Sequence, residues 1–423
     1  DNDRLPMIFS DKHIKDFNIL IDKHFIDKKC IELANNMGQN SLMKSIYEGN
    51  YKIAETILDK LFTQNSLSFK DINKRNVIHY IFSDIKLVKR FLNKLLEKDI
   101  SIYSYLSKDN NGDTPLHNLV KTKITQEDFS KLLNNFNTST IFEPIDSMGR
   151  NLYLLCCDER KDLLECFYTH PDFELSHIET RDKDHNSVFY KLKNDPKSLK
   201  SLLEKYNLDP NLMMKYHSDN GSVLLEMAKN YTESFKTVLE LFKGLTYNIL
   251  EARDKDRFSV LHICFKYNAE ALEFLLNTDL DLNYLIDKYS NFFGVNNPLI
   301  LGCQYNPLSV KVFCESKYKY KLEKLILKTD IDEKKYAHFI ALECQPLALY
   351  YLIQSKIIPN NIWEIPYSNG YKIINHIKLG NSNINTLDQY CKLEFIKEIN
   401  EDLYLKNEIK ILRNSCITDD FFL

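Results

Sequence analysis

At 423 residues with 44% apolar content, the chain has ample material for burial, which excludes a disordered polymer. Its 56 basic and 59 acidic residues leave a formal net charge of −3 with no basic stripe, which argues against a nucleic-acid binder. No apolar run reaches the roughly 18 residues that a membrane-spanning helix needs.

The chain opens at Asp1 and not at Met, so it is expected to be a piece of a larger parent protein. Residues 1–34 hold two short helical patterns, around 14–24 and 28–34, expected to form an atypical cap. A period then takes over. Asn40, Asn76, Thr114, Asn151, Ser187, Ser222, Ser259 and Asn297 each open a short apolar run, at spacings of 35 to 38 residues. All eight are Ser, Thr or Asn, residues whose side-chain oxygens accept the orphan N–H groups at a helix start. Five residues ahead of the cap stands Asp71, Asp109, Asp146, Asp182 or Asp254, placed to start a turn. About 15 residues beyond the cap comes a second apolar group, such as Phe91 with Leu92, Leu202 with Leu203, Phe274 to Leu276, or Val312 with Phe313.

Residues 108–133 spell out one unit. Asp109, Asn110, Asn111 and Gly112 make the turn. Thr114 caps a helix, and Pro115 takes its first position, where a missing N–H costs nothing. Leu116, Leu119 and Val120 form one apolar face, and a second helix carries Phe129, Leu132 and Leu133. The unit reads turn, helix, helix. One globular core has no reason to keep such a period, whereas a stack of similar units does. Two weaker units follow, one with helices near 335–344 and 346–355, the other starting near Gly370. That gives about ten repeats. The tail over 387–412 reads as two amphipathic helices, taken as a second cap, with a partner-binding helix as the alternative.

Asp109 to Gly112, followed by Asp113, Thr114, Pro115, Leu116 and His117, resembles the ankyrin repeat signature. Residues 253–262, RDKDRFSVLH, are a second match, and 35–58, 71–79 and Asn297, Pro298 and Leu299 support it. The resemblance covers about residues 35–315. It implies an all-α ankyrin-repeat solenoid of stacked turn-helix-helix units with atypical capping helices at both ends. The expected organisation is an N-terminal cap over 1–34, a stack over 35–380 and a C-terminal cap over 381–423. Departures are clear. The repeats exceed the family's 33 residues, and the turn glycine survives only as Gly38, Gly112 and Gly149. The extra residues are expected to lengthen the outer helices or the loops after them.

Catalytic motifs are missing from the sequence: no GxGxxG, P-loop, HExxH or GxSxG. His79, His117 and His262 share one repeat phase, and the resemblance implies backbone bonds within the stack for that position. At equal phase they lie roughly 10 Å apart, too far to share a metal ion held at about 2 Å per ligand. None of the ten cysteines forms a CxxC pair, so reduced thiols in a cytosolic protein are expected. The expectation is therefore a chain with no enzyme activity, no cofactor and no metal. The lysines of 317–324 alternate with Tyr318 and Tyr320, residue types that also suit acidic lipid headgroups or stacked single-stranded nucleic acid.

A partner surface follows from phase. Residues two and five beyond each cap point into the stack, and residues four, seven and eight point out to the groove. In two adjacent repeats those outward places hold Ile263, Lys266 and Tyr267, then Leu301, Gln304 and Tyr305, a contiguous apolar and aromatic patch. The opposing reading is that longer repeats rotate these helices and bury the groups as core. Tyr47 and Tyr80 form a thinner second candidate, and Trp363 reads as a core filler. The expected function is a non-catalytic scaffold that binds a protein partner through its concave groove and turn tips, in the cytoplasm. Two alternatives are the regulatory module of an enzyme, such as a Varp-type Rab exchange factor on endosomes, and a membrane-surface adaptor acting through 317–324.

Overall fold

A computed structural model describes residues 9–61, 63–97, 107–134, 142, 146–206, 208, 222–241, 250–290, 297–327, 337–355 and 357. Among them every regular element is a helix. None of these helices is long and apolar enough to cross a membrane. The region around Gly370, Trp363 and the tail over 387–412 lie outside the described residues. The chain divides into two compact units, 1–192 and 193–423.

In the first unit, the helices Ile14–Asp22 and Lys28–Glu32 precede the repeats. Inner helices then follow at Ser41–Tyr47, Val77–Ile81, Pro115–Val120, Leu152–Glu159 and Val188–Leu192. Their outer partners include Tyr51–Thr56, Ile85–Glu97, Gln126–Leu133 and Leu164–Tyr168. The second unit starts with the outer helix Pro196–Lys205 and continues with four pairs. These are Val223–Asn230 with Thr232–Leu241, Val260–Tyr267 with Ala269–Asn277, Pro298–Tyr305 with Pro307–Glu315, and Ala337–Cys344 with Pro346–Gln354. The aromatics that the period places on outer helices fill the core. Phe91, Phe129 and Phe167 are fully buried, with the last two rings 5.7 Å apart. Each such burial stabilises by roughly 1.5–3 kcal/mol.

The turns described in the first unit are built alike. The Asp71 carboxylate accepts the N–H groups of Asn73 and Arg75 at 2.9 and 2.8 Å. Asp109, Asp146 and Asp182 each hold the two equivalent N–H groups, and Asn35 does the same for Met37 and Gln39. Two residues before six of the caps, among the described residues, the backbone turns left-handed. Gly38, Gly112 and Gly149 take φ of 74°, 80° and 79°, as glycine readily does, but Lys74, His185 and Arg257 adopt 60°, 63° and 64° at the same phase. The glycine that the sequence lacks is thus replaced in identity and kept in conformation. Gly38 and Gly149 carry a second constraint. A Cβ on Gly38 would stand 3.0 Å from Asp71 Cα, and one on Gly149 3.0 Å from the Lys183 nitrogen. Neighbouring turns are that close because they bond. Ile72 N–H donates to Met37 O at 3.0 Å, Asn110 to Asn73 at 2.9 Å and Lys183 to Met148 at 2.8 Å, always in one register.

The caps do more than the phase alone implies. Asn40, Asn76, Asn151 and Asn297 accept the N–H three residues on, at 2.9, 3.2, 2.8 and 3.0 Å. Three of them also donate through Nδ2: Asn40 to Ser66 O, Asn297 to Leu325 O and Asn151 to Thr180 Oγ1. The receiving segments are where the extra repeat residues went. They form short third helices or their ends, at Gln64–Ser68, Leu322–Ile326 and just after Leu175–Ile178. Thr114 and Ser259 instead pair with the histidine three residues on, at 2.8 Å each. Ser187 precedes the helix Val188–Leu192. Ser222 corrects one expectation. It occupies the cap position with extended backbone, yet its side chain makes no capping bond.

Two of the phased histidines, His79 and His117, join repeats, as the resemblance implies. Nδ1 of His79 accepts the Asn76 N–H at 3.1 Å, which leaves hydrogen on Nε2, 3.3 Å from the Asp113 carbonyl of the next repeat. His117 is held by Thr114 in the same way and faces Arg150 O at 3.4 Å. In the second unit the ties lie at the helix corners. Asn268 Nδ2 donates to Ala228 O at 3.0 Å, and Ser309 Oγ donates to Phe265 O at 2.7 Å.

Two outcomes are expected. A left-handed residue other than glycine costs about 1–2 kcal/mol, and glycine's own entropic cost offsets about half of that. Lys74→Gly and Arg257→Gly should therefore each stabilise the fold by about 0.5–1 kcal/mol in chemical denaturation, and destabilisation by either would contradict the turn geometry. Burial lowers the pKa of His79 and His117, so the folded state favours the neutral rings. The stability these two rings contribute should be flat above pH ~6.5, the unfolded value, and fall as pH drops through it. A His79→Gln, His117→Gln variant should be less stable at neutral pH and show a shallower acid dependence, and an unchanged slope would count against these two rings.

Candidate interaction surface

Along the inner helices, residues two and five beyond the cap are buried throughout, from Leu42 and Ser45 to Leu299 and Gly302. Residues seven and eight end the helix and reach solvent. Tyr47, Lys121, Lys229, Tyr267 and Tyr305 are all exposed there. Position four behaves differently. Ile263 and Leu301 are only 4% and 3% exposed, so neither forms part of a surface patch. The reason is the lean of helical side chains toward the N-terminus, which lays residues three and four positions on over the preceding turn. Lys266 and Tyr267 stand at those positions relative to Ile263, and Gln304 and Tyr305 relative to Leu301.

In the first unit a cavity of about 590 Å³ opens beside Tyr47, Arg75, Tyr80, Asp113 and Lys121. Tyr47 is exposed and meets Tyr80 edge-on at 6.3 Å. Tyr80, the other secondary candidate, is buried as core, because its phenol reaches back to donate to Asp71 at 2.7 Å and accepts from Gln39 at 3.0 Å. That burial, aided by the Asp71 carboxylate, pushes the phenol up to about 12. Burial would raise Asp71, but hydrogen bonds from Tyr80 and Arg75 outweigh it and hold the carboxyl below its ordinary value. The basic groups of this face are internally paired. Arg75 binds Asp71, Lys121 binds Asp113, Arg150 binds Asp146 and Asp158, and Lys191 binds Asp182 and Asp158, all at 2.7 to 3.1 Å.

The corresponding face of the second unit is organised by rings. Tyr267 and Tyr305 are 44% and 51% exposed on consecutive repeats. The Lys266 ammonium stands between them, 5.0 and 4.7 Å from the two ring centres, and 4.9 Å from the ring of Phe258. Lys229 sits 4.5 Å from the Tyr267 ring. Gln304 is half-buried beside them. The sequence reading put Lys266 and both tyrosines in the patch, placed Lys229 outward as an ordinary polar residue, and passed over Phe258. Lys229 was legible, since it holds the same phase as Lys266 in the preceding repeat.

No family model matches the chain, and no curated protein sequence matches it. Among solved structures it is similar to the ankyrin repeat domain of Bcl-3, described as a unique member of the IkappaB protein family. The identity is 18%, the match covers 53% of this chain and 92% of that domain, and the TM-score is 0.40. The recurring turn, the capped inner helix and the histidine bonded to the next repeat are the features that the sequence resemblance implied. The repeats are ankyrin-like.

The remaining candidates are occupied within the ankyrin-like fold. Burial pushes the thiols of Cys156, Cys157, Cys264 and Cys303 well above the ordinary cysteine range, and Cys314 to about 12, so none of these is poised as a nucleophile. No cluster of metal-ligating side chains occurs among the described residues. In the 317–324 stretch, Lys321 and Lys324 both bind Asp287, at 2.8 and 3.0 Å, and Lys317 donates to Thr278 O. Tyr318 is buried with its hydroxyl on Leu280 O and the Leu282 N–H. That leaves Tyr320 as the exposed ring of the stretch.

Proposed function

We propose that this chain is a non-catalytic interaction module that binds a protein partner through the inner-helix ends and turn tips of residues 193–423. One observation carries the reading: consecutive repeats present exposed Tyr267 and Tyr305 on either side of Lys266. Tyrosines supply large contact area with few rotatable bonds, and they are enriched among residues that dominate binding energy. The cation–π contacts hold Lys266 in place before any partner arrives, which lowers the entropic cost of association. A membrane-surface role through 317–324 has less support, because Asp287 neutralises two of its lysines.

The test is affinity capture with mass spectrometry on a Tyr267→Ala, Tyr305→Ala variant whose helicity is confirmed by circular dichroism. Capture of the wild-type partners should weaken at least roughly tenfold. A folded variant that captures the same partners equally well would refute the reading.

A further inference from the structure

We infer that the partner element seated on this surface is an extended acidic peptide segment, with Asp or Glu at alternate positions pairing with Lys229 and Lys266. The inference rests on the reading above, that Tyr267 and Tyr305 mark the binding face.

The argument is one of charge. In the first unit, the lysines and arginines of the equivalent face are consumed by carboxylates of the same chain, at Asp71, Asp113, Asp146, Asp158 and Asp182. Lys229 and Lys266 differ. Among the described residues no carboxylate stands within salt-bridge distance of either one, and rings hold them instead. A ring's quadrupole fixes an ammonium without cancelling its charge, so both lysines keep their positive charge on the face. The nearby acids are engaged elsewhere. Glu226 faces Lys193 at 3.8 Å and accepts from Asn230 at 3.0 Å. Asp254 acts on Lys266 through space only, and its Oδ1 accepts the Phe258 N–H at 2.8 Å.

Geometry narrows the ligand. Both ammonium groups border one ring, that of Tyr267, at 4.5 and 5.0 Å from its centre. Those two distances keep the ammonium groups within about 10 Å of each other, and in an extended peptide side chains at alternate positions share a face about 7 Å apart, a span that can set one carboxylate on each ammonium. The exposed rings of Tyr267 and Tyr305 would cover the aliphatic parts of the same peptide. Two charges are too few for the other polyanions. Membrane attachment through basic residues takes clusters of about 4–8, and tight nucleic-acid binding takes about 6–10 phosphate contacts.

The test selects a phage-displayed library of random peptides, about a dozen residues long, on the immobilised full chain, in parallel with a Lys229→Gln, Lys266→Gln variant. Wild type should enrich peptides carrying Asp or Glu at alternate positions, and the variant should not. A selected peptide, labelled and followed by fluorescence anisotropy, should bind the variant at least roughly tenfold more weakly and should weaken as salt rises. Lys266→Arg should retain binding. Enrichment of peptides without acidic residues, lost on Tyr267→Ala, Tyr305→Ala but kept on the lysine variant, would overturn the acidic assignment and leave the binding face intact. Selection that neither variant alters would overturn both. If no peptide is enriched while phosphatidylserine vesicles or an oligothymidine strand bind through these lysines, the peptide is the wrong ligand.

Discussion

In each well-described turn of the first unit, one side-chain oxygen holds two backbone N–H groups, and the turn so closed bonds to its neighbour at a fixed offset. Asp71, Asp109, Asp146 and Asp182 supply that oxygen, and Asn35 supplies it at the start. The bonds from Ile72 to Met37, Asn110 to Asn73 and Lys183 to Met148 then allow only one register between turns. A repeat protein has no central core to position its parts, so neighbour contacts of this kind must do it. The caps follow from the register, because the cap lies five residues after the turn's oxygen. His79 and His117 follow too, since each can reach the next repeat's carbonyl only if the turns are aligned.

The same constraint decides which side chains are available. Once the inner helices are fixed by their caps, their last turns project from the stack, and chemistry there is free to differ between repeats. In the first unit that freedom goes into ion pairs within the chain. In the second it goes into tyrosines and lysines that satisfy each other through ring contacts. The contrast is one of chemistry: the basic groups of one face are paired with carboxylates of the same chain, and Lys229 and Lys266 on the other lie against rings.

Much of the fold was legible in the sequence because the signals are local. An N-cap must be small and polar, a turn needs a side chain that bonds backwards, and both show in the residue types at a fixed phase. Asn35 plays the part of the turn aspartates, yet it was passed over because the pattern was read as Asp. The left-handed residues at Lys74, His185 and Arg257 were invisible, because sequence shows a missing glycine but not the retained conformation. The Nδ2 ties of Asn40, Asn151 and Asn297 were equally hidden, since their acceptors sit 26 to 29 residues on, in segments of irregular length. The candidate site was half legible. Angular phase alone placed Ile263 and Leu301 outside. Their burial depends on the lean of Lys266, Tyr267, Gln304 and Tyr305, a property of side-chain direction that a helical wheel does not contain.

The bond between turns is the claim on which the rest depends, and native-state amide hydrogen exchange reads it directly. Ile72, Asn110 and Lys183 are exposed residues at turn tips, where an unbonded amide exchanges freely. The account predicts that their N–H groups exchange at least roughly a hundredfold more slowly than unprotected amides. Exchange at the unprotected rate in a folded chain would mean that the turns are not locked in register, and would contradict the account.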